Sequence, residues 1–237
     1  MTLSINWTRA GAVLFDLDGV VTPTARIHER AWADLFADYD FTPDDYLASV
    51  DGRPRYDGVQ TFLRSRGVEL PWGDPSDPPG DTTVCAMGNR KNDSFNAVLE
   101  RDGIAPYPGT MVVIDALDAA GVPSAIVSSS RNARAVLAAA EITDRFVTVV
   151  DGTTAAEEHL AGKPDPAMFL AAAAHVDVDP ARCIVVEDAT SGVAAGAAGG
   201  FSLVVGIDRG GNRESLLAAG ADLVVDDLDE TIVSNRP

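Results

Sequence analysis

Six short apolar runs punctuate the chain. Ala12-Val13-Leu14-Phe15, Val122 to Val127, residues 146–150, Cys183-Ile184-Val185-Val186, residues 201–206 and residues 222–225 each read as a strand. They are close to continuously hydrophobic, as strands buried on both faces of a parallel sheet are. From Gly109 onward the runs alternate with helix-like segments, the rhythm of successive β/α units. Between the first run and Gly109 that rhythm stops. Residues 24–38, 43–50, 55–67 and 89–102 carry apolar positions at helical spacing, and Pro71 to Gly80, dense in Pro, Gly and Asp, is predicted to be a loop. The pattern predicts an α/β fold: a doubly wound, Rossmann-like core of residues 1–21 and 106–237, with an α-helical cap domain of residues 22–105 inserted after the first strand. The junctions fall near 21–24 and 103–108. An insertion at this point is suited to act as a lid over whatever the first strand carries at its end. No internal repeat is visible, and the Ala-rich stretches Ala135 to Ala140 and Ala171 to Ala174 are ordinary helix stock.

Composition narrows the classes of function. At 237 residues and 46% hydrophobic content the chain can bury a sizeable core. Eighteen basic residues against 36 acidic give a formal charge of −18, so neither nucleic acid nor an anionic membrane surface is an expected partner. Met1 to Gly11 has neither a basic region nor an apolar stretch of signal-peptide length, and no segment reads as a membrane helix. The least polar stretch, Gly192 to Ile207, reads as a helix followed by a strand. Cys85 and Cys183 make neither a disulfide framework nor a metal motif, and three scattered histidines exclude a zinc cluster. A reducing cytoplasm is the expected location.

The polar residues that end the apolar runs carry the chemistry. The first run closes in Asp16-Leu17-Asp18-Gly19. Residues two apart on a strand face the same way, so both carboxylates can point at one spot, where they suit a hard cation, nucleophilic attack and proton transfer. Taken alone, Asp-x-Asp-Gly is equally a plain turn. The run at 122–127 ends in Ser128-Ser129-Ser130, the run at 183–186 ends in Glu187-Asp188, and Lys163 stands between Gly162 and Pro164 ahead of a helical pattern. Ligands of open parallel sheets bind beyond the carboxyl ends of the strands, so the arrangement predicts one convergent site. Glu187-Asp188 on its own also fits a helix N-terminal acidic pair.

In this order and spacing, Asp16 with Asp18, Ser128, Lys163, and Glu187 with Asp188 resemble the four motifs of the haloacid-dehalogenase-like (HAD) phosphotransferase superfamily. More narrowly, the chain resembles the β-phosphoglucomutase family. The further matches are Thr24-Ala25 with His28 to Trp32, Arg55, Arg90-Lys91-Asn92-Asp93, Tyr107-Pro108-Gly109 and Ser130-Arg131-Asn132. The resemblance implies Asp16 as nucleophile, Asp18 as acid/base, and Mg²⁺ on Asp16, the Asp18 carbonyl and Asp188 with Glu187 nearby. It implies phosphate and substrate contacts from Ser128, Ser129, Lys163, Arg55, Ser130, Arg131, Asn132, Lys91, His28 and Thr24. The expected reaction interconverts β-D-glucose 1-phosphate and β-D-glucose 6-phosphate, with glucose 1,6-bisphosphate as activator and intermediate. The alternative is a phosphatase that hydrolyses small sugar phosphates on the same scaffold.

Several of these residues have a second, plainer reading. Arg55 also fits a solvated helix end, His28 a structural histidine, and Thr24 and Asn132 helix N-caps. The few cations nonetheless fall where an anionic substrate needs them: Arg55, Lys91, Arg131 and Lys163 all lie in the suspected motifs. Two departures stand out. Pro23 replaces an acid common in relatives, and Gly58 stands where better-known mutases carry a hydroxyl, which implies different sugar contacts. The partner is expected to be a small phosphosugar, and the chain a monomer or weak homo-oligomer.

Overall fold

The computed structural model describes residues 4–51 and 53–231. The first three residues of the amino-terminal stretch, Gly52, and the last six residues of the expected core range lie outside them. The chain divides into two compact units, Met1–Pro23 with Ala105–Pro237, and Thr24–Ile104.

The first unit is an α/β layer structure. Its strands are β1 (Ala12–Phe15), β2 (Ser124–Val127), β3 (Thr148–Val150), β4 (Cys183–Glu187), β5 (Leu203–Ile207) and β6 (Leu223–Val225), each within or at the edge of a predicted run. They form one six-stranded sheet in the order β3-β2-β1-β4-β5-β6, all neighbours parallel. The chain winds outward from β1 to one edge through β2 and β3, then returns to β4 beside β1. The switch point of this doubly wound sheet therefore lies between β1 and β4, where Phe15 is paired with Val186. All of β1, β2 and β4 is buried, which is why these runs show no polar alternation. Ala12, Leu14, Ala125, Val127, Cys183 and Val185 pack with Met168, Phe169 and Val193 in one core cluster.

The second unit is helical and has its own core. Its helices are α1 (Ala25–Leu35), α2 (Pro43–Ser49), α3 (Arg55–Ser65) and α4 (Val84–Asp102). Trp32, Phe36, Val59, Phe62, Val84 and Met87 meet in a cluster with Phe36 and Phe62 rings 4.1 Å apart. The helix expected over 89–102 starts earlier, at Val84, with the Thr83 hydroxyl accepting from the Ala86 amide as N-cap. Val84 to Gly88 are all buried, so this first turn shows no amphipathic period. Residues 71–80 are an irregular loop, but a pinned one. Asn89 Nδ2 donates to the carbonyls of Pro75 and Asp77, and the Thr83 hydroxyl donates to Asp77 Oδ2.

In the first unit the remaining helices are α5 (Pro108–Ala120), α6 (Ala133–Ala139), α7 (Gly152–Glu157), α8 (Ala167–His175), α9 (Thr190–Ala198) and α10 (Arg213–Ala219). No helix among the described residues is long and apolar enough to cross a membrane.

Candidate active site

The candidate chemistry of the first unit gathers beyond the carboxyl ends of β1, β2 and β4. Asp16 follows directly on Phe15, and its amide donates to the Val186 carbonyl, which carries the β1–β4 pairing one step past the strand. The Lys163 ammonium reaches this point from the segment before α8. It donates to Asp16 Oδ1 (2.5 Å), to Glu187 Oε1 (2.6 Å) and to the Val127 carbonyl (2.9 Å). One side chain thus ties together the ends of three adjacent strands.

Glu187 is almost wholly engaged. While Oε1 takes the lysine, Oε2 accepts from the amides of Asp188 and Ala189 at 3.0 Å, in the turn that leads into α9. Two glycines make room for this acidic pair. A Cβ on Gly192 would stand 1.7 Å from Glu187 Oε1, and one on Gly19 would stand 1.8 Å from Asp188 Oδ2. Gly19 also has φ +89°, a conformation that side chains resist. Its amide donates to the Thr22 carbonyl, closing the turn that follows Asp18.

Asp18 Oδ2 accepts from the Ser128 hydroxyl at 3.4 Å, and Ser128 Oγ in turn accepts from the Ser130 amide. The Ser130 hydroxyl accepts from the amide of Asn132. Ser129 is half-buried, Asn132 buried and Arg131 exposed on the same loop. Asn132 occupies the N-cap position of α6, but its side chain makes no capping bond, and the same holds for Thr24 ahead of α1.

The electrostatics of the cluster favour a cation. Burial pushes the Asp16 carboxyl well above the usual carboxylate range. Lys163 pulls it down, and Glu187 and Asp18 add to the rise. Burial opposes the Lys163 charge too, but Asp16 and Glu187 outweigh it and raise the lysine above its ordinary value. Carboxylate oxygens of Asp16, Glu187 and Asp188 lie within 4.8 Å of one another. Three acids around one ammonium leave negative charge in excess in a buried place, and all the available donors are oxygens. This donor set fits a hard divalent ion such as Mg²⁺.

The remaining sequence-predicted residues lie in the helical unit. Lys91 on α4 is 4% exposed, with its Nζ 5.0 Å and 5.1 Å from the ring centres of Trp32 and Phe95. It approaches His28 Nδ1 at 2.5 Å. The imidazole stacks on Phe95 at 4.2 Å. Arg55 opens α3, and its Nη2 donates to Asn92 Oδ1 at 2.7 Å, which makes it a braced guanidinium and not a loose helix end. Gly58 is buried with Val50 and Trp32 against it.

Sequence reasoning missed Gly192 and the segment after β5, from which Arg209 reaches the Gly19 carbonyl and Asn212 the Asp188 carbonyl. The position of that segment, at the carboxyl end of a strand in a parallel sheet, was the available signal.

These features coincide with a known family. A family model described as haloacid dehalogenase-like hydrolase matches residues 10–200, and the chain belongs to that family. Within it, the chain is 47% identical to a beta-phosphoglucomutase of Mycobacterium bovis, over 93% of this chain and 91% of that one. It is 34% identical to a beta-phosphoglucomutase of Bacillus subtilis, over 90% and 88%. A crystal structure of beta-phosphoglucomutase from Clostridium difficile is similar with a TM-score of 0.78 at 26% identity, covering 94% of this chain and 93% of that one.

Proposed function

We propose that this chain is a Mg²⁺-dependent phosphomutase that interconverts β-D-glucose 1-phosphate and β-D-glucose 6-phosphate by way of the 1,6-bisphosphate. The observation that carries the reading is the strand-end cluster. Asp16 is held by Lys163 beside Glu187 and Asp188, and a second carboxylate, Asp18, stands two residues on beside Ser128. The relatives named beta-phosphoglucomutase support the sugar and the reaction class.

In this reading an Asp16 oxygen attacks phosphorus, the bond from phosphorus to the sugar oxygen breaks, and Asp18 gives its proton to that oxygen. The product is an aspartyl phosphate on Asp16. A sugar hydroxyl then attacks it, Asp18 takes the hydroxyl's proton, and Asp16 is released. Starting from the phosphorylated enzyme, β-glucose 1-phosphate accepts the group on its 6-hydroxyl. The bisphosphate turns over in the site and returns its 1-phosphoryl group to Asp16, leaving glucose 6-phosphate. Asp16, Asp188 and the Asp18 carbonyl, with Glu187 beside them, would hold Mg²⁺, which when bound supplies positive charge against the phosphoryl oxygens.

Ser128 and Lys163 hold the oxygens of the transferring group, with Ser129 beside them. In the first unit Ser130, Arg131 and Asn132 are assigned to a second phosphate, and in the helical unit Arg55 is assigned to phosphate as well, where a guanidinium fork suits the anion. Lys91 and His28 serve the sugar and Thr24 the hinge. A cytoplasmic setting is part of the same reading, and both cysteines are buried.

The test is a paired assay with Mg²⁺, β-glucose 1-phosphate and a trace of glucose 1,6-bisphosphate, following glucose 6-phosphate and free phosphate separately. Rapid glucose 6-phosphate formation with little free phosphate is expected. Phosphate release without isomerisation would make the chain a sugar-phosphate hydrolase instead.

A further inference from the structure

The segment after β5, Asp208-Arg209-Gly210-Gly211-Asn212, lies outside the four motifs, yet it grips two of them. Asp208 folds it: Oδ1 accepts from the amides of Gly210 (3.2 Å), Gly211 (2.6 Å) and Asn212 (2.9 Å), and the Asp208 amide donates to the Val225 carbonyl on β6. From this frame Asn212 Nδ2 donates to the Asp188 carbonyl at 3.1 Å. Arg209 Nε donates to the Gly19 carbonyl at 2.8 Å, 190 residues away in the chain. The guanidinium carbon lies 3.7 Å from the centre of the Tyr107 ring, and Nη1 donates to the Asp226 carbonyl and to Asp227 Oδ2. The Tyr107 amide donates to the Val21 carbonyl, and the Thr110 hydroxyl to the Val20 carbonyl.

We propose that Arg209 is a positioning residue for phosphoryl transfer, clasping the glycine turn that follows Asp18 so that both reacting carboxylates keep one direction. This rests on the reading of Asp16 and Asp18 as the reacting groups. A glycine at φ +89° has no side chain to lock its peptide planes, so their orientation depends on what holds the N–H and C=O. Thr22 holds the N–H and Arg209 the C=O. Without Arg209 the peptide after Gly19 loses the bond on its carbonyl, and the turn that sets the direction of Asp18 is held less firmly. The Tyr107 stack and the Asp226 and Asp227 bonds fix the guanidinium in place, so the hold on Gly19 is stiff.

A second feature argues against a role in stability alone. Arg209 Nη2 and Asn212 Oδ1 are both buried with no hydrogen-bond partner among the described residues. Such groups cost stability, so a segment that keeps two of them is poorly built as a mere staple.

The test uses the full chain with Mg²⁺ and an aryl phosphate, whose turnover needs the core chemistry but no particular sugar. Arg209→Ala is expected to lower kcat by about 10- to 100-fold, the scale on which small misplacements act, with KM within about twofold. Millimolar guanidinium, but not an equal concentration of sodium chloride, should restore part of the loss by refilling the vacated place. Arg209→Lys keeps the charge without the stacked fork and is expected to fall between the two. It carries the test alone if Arg209→Ala does not fold. Wild-type kcat in either folded variant, or a loss that follows the folded fraction and ignores guanidinium, overturns the proposal. The wild type is run in parallel on β-glucose 1-phosphate. Aryl phosphate turnover without isomerisation would remove the mutase reading and leave the clasp standing.

Discussion

Lys163 shows how much one side chain can decide. Its ammonium, 4% exposed in its side chain, contacts Asp16 and Glu187 and the end of β2, so each acid has a cation beside it although the cluster as a whole stays negative. Asp18, two residues beyond Asp16, accepts from the Ser128 hydroxyl at 3.4 Å, and the proposed mechanism gives it the proton transfers. Asp18→Asn is therefore expected to lower kcat for sugar phosphates by about 10²- to 10⁴-fold, with circular dichroism and melting temperature close to wild type. Near-normal turnover in a folded Asp18→Asn protein would remove it from the mechanism.

A pH effect belongs to Cys183, remote from this chemistry. Burial pushes its thiol from an ordinary 9.0 up to about 11, with Asp179 adding and Arg182 opposing. The folded state therefore holds the proton more tightly than the unfolded one. The thiol's contribution to stability is complete below pH 9.0 and is lost as the pH rises through about 11. A thiol reagent at pH 8 should react with the native chain only as fast as it opens, and promptly in denaturant. Reaction of the native protein at the free-thiol rate would contradict this.

At the scale of elements, β4 and α9 illustrate how a local rule is reversed by packing. Replacing a helical glycine with alanine ordinarily gains about 1 kcal/mol. In α9, a Cβ on Gly192 would meet Glu187 Oε1 at 1.7 Å, so Glu187 must swing away from Lys163 and from the amides of Asp188 and Ala189. Breaking a buried ion pair costs about 3–5 kcal/mol, which outweighs the helix gain. Gly192→Ala should lower the melting temperature by several degrees and weaken Mg²⁺ binding in calorimetry, whereas a more stable variant would show the packing argument to be wrong. The sign of this effect was invisible in the sequence, where Gly192 is one of many small residues in an Ala- and Gly-rich helix. The strands were the opposite case. Runs such as Cys183 to Val186 lie on β4 because a strand buried on both faces has to be apolar throughout. The start of α4 was missed for the same kind of reason, since five consecutive buried residues erase the helical period.

At the scale of the whole molecule, a strongly acidic chain, with a formal charge of −18, places its few informative cations individually. Lys163 serves the core cluster, Lys91 sits among Trp32, Phe95 and His28, and Arg55 is braced by Asn92. If Arg55 holds the second phosphate, Arg55→Ala should slow bisphosphate-dependent isomerisation at least tenfold more than aryl phosphate hydrolysis, because only the former substrate carries a second anion. A bidentate charged bond of about 1.5–3 kcal/mol accounts for a difference of that size. Equal losses in the two assays would remove Arg55 from that role.

The sequence by itself determined the six strands, the interruption of the β/α rhythm after the first of them, and the candidate polar groups that follow the strands. Each of these is written locally, in an apolar run and the polar residues that end it. Tertiary structure alone decided the strand order β3-β2-β1-β4-β5-β6, the meeting of Lys163 with Asp16 and Glu187, the room that Gly19 and Gly192 leave for two carboxylates, and the grip of Arg209 on Gly19. Periodicity reports which face of an element is buried and says nothing of what lies against it. Contacts between residues 147 or 190 positions apart exist only once the sheet has set the strands side by side.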